Sequence, residues 1–96
     1  MWSGLELHML QPARERWQKL SSEDRVVVAY AFRDAIHRPN RVGDYRLKFF
    51  RLNGTDEILQ FHEFRFGFTS FALITSIHGM FLYDFWLDDG ISLAAE

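Results

Sequence analysis

The chain has 96 residues, no cysteine, and 11 basic against 13 acidic side chains, a formal net charge of −2. Without cysteine a disulfide scaffold and any thiolate metal site are excluded. The balanced charge argues against a protein whose main task is to wrap duplex nucleic acid.

This length suits one domain spanning residues 1–96. Ten Phe, three Trp and three Tyr supply the core, since each buried aromatic removes about 150–250 Å² from water. The longest apolar runs lie in 66–87 and are broken by Ser70, Thr75, Ser76, His78 and Asp84, well short of the roughly 18 clean residues of a membrane span. Residues 1–6 lack the basic start and apolar stretch of a signal peptide. A cytoplasmic location is therefore expected, with no membrane partner.

Leu5, Leu7 and Met9 alternate with Glu6 and His8, the period of a strand over about 2–10. Pro12 fits the first turn of a helix covering about 12–20. Ala13, Trp17 and Leu20 fall on one of its faces. Ser21 can cap a second helix over about 22–37, with Asp24 three residues on at the positive end of the dipole. Val28, Ala31, Phe32, Ala35 and Ile36 form its apolar stripe. Pro39 disfavours helix at Arg38 and stops it.

From Asp44 the period changes to two. Tyr45–Leu52, Glu57–Phe66, Phe71–His78 and Phe81–Leu87 read as strands. Asn53-Gly54 and Gly79-Met80 read as two-residue hairpin turns, and Gly67-Phe68-Thr69 as a further turn. The expected fold is α+β: an N-terminal strand, a two-helix hairpin, then a four-stranded antiparallel meander with the helices on one face.

Two-residue turns set a register. Arg51 then opposes Asp56, a favourable charge pair. Tyr45, Leu47, Phe49 and Ile58 share one face; Arg46, Lys48, Phe50, Leu59 and Phe61 share the other, continued by Glu63 and Arg65. In the second hairpin Ser76, Ile74 and Ala72 oppose Tyr83, Phe85 and Leu87, an apolar set assigned to the core. The helix-free face is expected to carry Arg46, Lys48, Phe61 and Arg65 in one half and Leu73, Asp84 and Trp86 in the other, with Phe71, Thr75, Ile77 and Leu82 nearby. An open face this apolar is expected to bind something. Alternatively it folds over a small barrel-like core or is covered by the C-terminal tail.

Catalytic patterns are weak. His62-Glu63 begins like a zincin motif, but Phe66 stands where the second histidine belongs and the segment is a strand. His8, His37, His62 and His78 lack metal-ligand spacing, and each glycine is a lone turn residue rather than part of a phosphate loop. No serine sits in a nucleophile elbow. No metal and no cofactor is expected, and no catalytic residue is assigned. Arg46, Lys48 and Arg65 beside Phe61 could hold a phosphate backbone and stack a base, or simply form a solvated strand face.

Two stretches carry a resemblance. Residues 5–39, LELHMLQPARERWQKLSSEDRVVVAYAFRDAIHRP, and 63–86, EFRFGFTSFALITSIHGMFLYDFW, resemble the first strand, helix pair and later strands of the RelE/ParE toxin superfamily of bacterial toxin–antitoxin modules. The resemblance implies that fold. For the ribosome-dependent RNases of the family it also implies a basic cluster on the sheet and near the C-terminus. Arg65 matches the first of those positions. Phe71 or Ala72 stands at the next, and Leu87-Asp88-Asp89 replaces the terminal basic pair. Without those cations in-line RNA cleavage loses its electrostatic support, and the family's non-nuclease branch, which inhibits DNA gyrase by binding, suits a neutral chain better. A cystatin-like sheet wrapped on one helix is the alternative fold, also with a binding or self-associating role.

The expectation is a small inhibitory, toxin-like protein that binds a protein partner, an antitoxin or a host enzyme, through Arg46, Lys48, Phe61, Arg65, Leu73, Asp84 and Trp86. The alternatives are a RelE-like mRNA endonuclease and a homodimerising module; the net charge disfavours RNA.

Overall fold

The computed structural model describes residues 8–78 and 81–89. Two helices, α1 (Gln11–Gln18) and α2 (Ser22–His37), are followed by a 3₁₀ turn and four strands, β1 (Gly43–Arg51), β2 (Ile58–Phe66), β3 (Thr69–Ser76) and β4 (Leu82–Asp89). The strands form one antiparallel sheet in the order β1-β2-β3-β4. The α+β class and the meander match the sequence expectation. Of the expected N-terminal strand, residues 1–7 lie outside the described residues; Met9 makes a parallel bridge to Leu82. Among the described residues no helix is long and apolar enough to cross a membrane.

The helix ends follow local chemistry. Ser21 Oγ accepts the Asp24 N–H at 3.1 Å and starts α2. Pro12 sits in the first turn of α1, where its missing N–H costs nothing. Arg25 of α2 donates to the carbonyls of Trp17 and Gln18 at 3.1 Å each, satisfying the open C-terminus of α1 and tying the helix pair together.

The face of the sheet beneath α2 is the inner face. There Phe32 meets Phe85 and Phe71 edge to face, at centroid distances of 5.2 and 6.2 Å, and Phe64 stacks on Phe71 at 5.2 Å. Met9, Ala13, Trp17, Val28, Leu73 and Leu82 complete the cluster. The expected stripe of α2 is buried at Val28, Ala31, Phe32 and Ala35, while Ile36 is only half-buried. Asp34, also buried, is met by Arg33 at 3.2 Å.

The register departs from the expected one at all three hairpins, with unequal consequences. The first is closed by Leu52 N–H to Glu57 O, so four residues lie in the loop. Thr55 Oγ1 sets that length by donating to Leu52 O and accepting the Glu57 N–H. Ile58, not Asp56, therefore opposes Arg51. A shift of two preserves side-chain parity, so the expected faces of β1 and β2 hold. Arg51 and Asp56 still approach to 3.8 Å.

In the second hairpin the turn is Gly67-Phe68 alone, with Phe66 opposite Thr69. Gly67 has φ 66° and Phe68 does not share the positive φ, the pattern of a II′ turn with Gly first. One residue fewer in the turn flips all of β3. Phe71, Leu73 and Thr75 therefore face α2, and Ala72, Ile74 and Ser76 face outward, the reverse of the expected assignment. Leu73 is fully buried in the core, so it does not belong to the open face.

The third hairpin is closed by Ser76 N–H to Phe81 O, with the Phe81 N–H also reaching Ser76 Oγ at 3.1 Å. Thr75 pairs with Leu82, but Ile74 pairs with Asp84. Tyr83 is the extra residue of a β-bulge. The bulge lets Leu82 and Phe85 both enter the core and leaves Asp84 and Trp86 on the outer face, as expected for Trp86, but opposite Ile74 and Ala72 rather than Leu73.

Candidate functional site

Strand pairing arranges the outer face in rows. One row runs Lys48, Phe61, Ile74, Asp84; the next runs Arg46, Glu63, Ala72, Trp86; a third begins with Arg65 and continues through Ser70 to Asp88. Six of the seven expected residues, Arg46, Lys48, Phe61, Arg65, Asp84 and Trp86, thus share this face. The first row grades from cationic at β1 through apolar in the middle to acidic at β4, while the second carries Glu63 on β2 and ends on Trp86, and the third carries Arg65 on β2 and Asp88 on β4. Leu59, between Phe50 and Ser76 in a fourth row, is buried although it belongs to no part of the main core cluster. The outer face therefore has a small apolar centre of its own.

Both ends of the rows carry specific contacts. At the β4 end Arg16 of α1 donates from Nε to Asp84 Oδ1 at 2.8 Å, and its guanidinium lies 5.0 Å from the Trp86 ring centroid. Trp86, 39% exposed, is thus clamped by a cation rather than bare. Arg16 lies off the Ala13, Trp17 and Leu20 face of its helix; docking of α1 against β4 brings it here. At the β1 end Arg65 lies 3.7 Å from Asp44. A cavity of about 210 Å³ is lined there by Asp44, Arg46, Glu63, Arg65 and Ser70. Asp44 adopts φ 51° where the β1–β2 register shifts between Gly43 and Arg46, a left-handed conformation that Asp tolerates better than most residues. Arg46 and Lys48 are exposed, and neither forms an ion pair with any described residue.

The inner face carries a different polar feature. His62 is buried, with Nδ1 2.8 Å from the Tyr45 hydroxyl and Nε2 2.9 Å from Thr75 Oγ1. Both partners are hydroxyls that can donate or accept, so either neutral tautomer is satisfied. Burial pushes the His62 pKa below its ordinary value and that of Tyr45 above its own. His62 is thus a hydrogen-bonded core residue, on the opposite side of β2 from Phe61 and Glu63. Among the described residues no group of three or more His, Asp or Glu side chains is placed to hold a metal ion.

A third region lies at the hairpin ends. Tyr83 donates its hydroxyl to Glu57, a bond that raises the Tyr83 pKa. The pair stands beside an open cavity of about 530 Å³ lined by Ile58, Ile77, His78 and Phe81. At the other end Phe68, the tip of the II′ turn, is 87% exposed.

The chain matches no protein-family model, no curated protein and no solved structure.

Proposed function

We propose that this protein is a small inhibitory, toxin-like protein that acts by binding a protein partner through the open face of its β-sheet. The observation that carries the reading is the graded outer face: cations at β1, Phe61 and Ile74 in the middle, and Trp86 with Asp84 at β4. A protein surface offers complements to all three zones at once, with carboxylates for Arg46 and Lys48, apolar side chains for Phe61 and Ile74, and a packing surface for Trp86, whose neighbour Asp84 is already paired with Arg16. A phosphate backbone complements only the first, and there Asp44 and Glu63 share the cavity of Arg46 and Arg65. Proton transfer in RNA cleavage also needs an acid–base group beside the cations. The histidine on β2 faces the other way with both ring nitrogens engaged. The binding reading is therefore favoured over the nuclease one.

The test is a photoreactive phenylalanine analogue at Phe61, with the crosslinked protein identified and the complex rebuilt from purified components. Lys48→Glu and Trp86→Ala are each expected to weaken that complex by about tenfold or more, as interface anchors do, with circular dichroism unchanged. A rebuilt partner that binds both variants as tightly as the parent would refute the reading.

A further inference from the structure

The two edges of the sheet are finished differently. At β4, Met9 bridges Leu82 and the Leu10 N–H donates to Leu82 O at 2.9 Å, so residues 9 and 10 cover the start of that edge. β1 is the last strand on the other side, and no strand among the described residues pairs with its outer edge.

The free backbone groups of that edge can be named. Leu52 directs its N–H to Glu57 of the neighbouring chain segment, and the pairing then runs without a break from Arg51–Ile58 to Arg46–Glu63. In an antiparallel ladder a residue turns its N–H and C=O to one side and the next residue turns them to the other. Phe50, Lys48 and Arg46 therefore bond to β2. Leu47, Phe49 and Arg51 direct their N–H and C=O outward, up to the register shift between Gly43 and Arg46.

Side chains along the same edge are sorted by face. Leu47 and Phe49, 40% and 59% exposed, stand on the inner side beyond the reach of α2. Arg46 and Lys48 stand exposed on the outer side without an ion-pair partner among the described residues.

We propose that the outer edge of β1 accepts an added β-strand from a protein partner, an extended segment in which acidic and apolar residues alternate. Its main chain pairs with Leu47, Phe49 and Arg51. Its acidic side chains fall beside Arg46 and Lys48, and its apolar ones beside Leu47 and Phe49, because paired strands share faces. The inference rests on the reading that this sheet binds a protein, and adds the element and the chemistry of the contact. A second copy of the chain is a poor occupant: pairing β1 with β1 brings Arg46 and Lys48 of both copies to the same side of one seam. Cations on an edge strand are a common guard against self-association. The same charges that repel a copy select an acidic strand.

The probe is a short blocked peptide of alternating Glu and Val. Controls are a Lys/Val peptide and a Glu/Val peptide N-methylated along one edge. Amide hydrogen exchange is followed by NMR on the whole chain. The Glu/Val peptide is expected to slow exchange at Leu47, Phe49 and Arg51 by about tenfold or more at saturation, and to leave Arg46, Lys48 and Phe50 unchanged. Both controls are expected to bind about tenfold more weakly. The Arg46→Glu, Lys48→Glu double variant, checked for folding by circular dichroism, is expected to prefer the Lys/Val peptide.

No binding at millimolar peptide, or saturation without protection of those three amides, would overturn the proposal. So would protection of the same amides by self-association without peptide, or by a single-stranded RNA. The two readings fail separately. A crosslinked partner that depends on Trp86 but leaves the β1 edge unprotected removes the added strand alone. Edge protection by that partner with no effect of Trp86→Ala removes docking on the open face and leaves the strand.

Discussion

The two faces of the sheet are built from similar residue types but do different work. The inner face buries Phe64, Phe71, Leu73 and Phe85 against Phe32 and Trp17. Its polar member, His62, is satisfied from both sides by Tyr45 and Thr75. The outer face also has aromatics, Phe50, Phe61 and Trp86, yet neither α1 nor α2 buries Phe61 there, and its charges run from Arg46 and Lys48 on β1 through Glu63 and Arg65 on β2 to Asp84 on β4. Amphipathic alternation alone does not separate these faces. What separates them is which one α2 covers, and that the outer face keeps Arg46 and Lys48 exposed without an ion-pair partner among the described residues.

The sharpest way to break the comparison is to remove matched residues from each side. Phe32→Ala is expected to cost about 3–5 kcal/mol and Leu73→Ala about 2–5 kcal/mol in urea unfolding, because both leave cavities in a buried cluster. A Leu73→Ala midpoint near that of the parent would restore Leu73 to the open face.

Next in size is the His62 network. Thr75→Val leaves the Nε2 of a buried imidazole without its protein partner, which is expected to cost about 1–3 kcal/mol. The same histidine sets a pH dependence. Its folded pKa lies below the ordinary value of 6.5, so between the two values the unfolded chain binds the extra proton and the native protein does not. Its contribution is full above the unfolded pKa, declines as pH falls through that window, and levels off below the folded pKa. Urea midpoints across the acidic range are expected to show this slope in the parent and to lose it in His62→Phe. An equal slope in both proteins would place the titration elsewhere.

Arg16→Ala tests the clamp at the edge of the outer face. Both Arg16 and Asp84 reach solvent, so the loss is expected to be about 1 kcal/mol or less. Iodide quenching of Trp86 is the better readout: it should rise in this variant, in a background where Trp2 and Trp17 are replaced by Phe. Unchanged quenching would mean that Arg16 does not shield the ring in solution.

The smallest effect is expected at Phe68. At the tip of a II′ turn and almost fully exposed, its change to Ala should shift stability by no more than about 0.5 kcal/mol. A larger loss in a thermal melt would show that the hairpin tip packs on something.

Sequence by itself determined the elements of this protein. Ser21 and Pro39 bound α2 through a cap and a steric veto, and both act within a few residues. The period-two segments named four strands, and the faces of β1 and β2 came out right because the Thr55-bridged loop shifts the pairing by two. Most of the candidate site was legible for the same reason: Arg46, Lys48, Phe61 and Arg65 needed only parity. Tertiary structure decided β3, Leu73 and the surroundings of Trp86. A turn of two residues rather than three at Gly67-Phe68 inverts β3, and the bulge at Tyr83 realigns β4 on it. Both sides of β3 are apolar, with Ala72 and Ile74 on one and Phe71 and Leu73 on the other, so burial pattern could not reveal the slip. Arg16 meets Trp86 from 70 residues away in the chain, a contact that exists only once α1 has docked on β4.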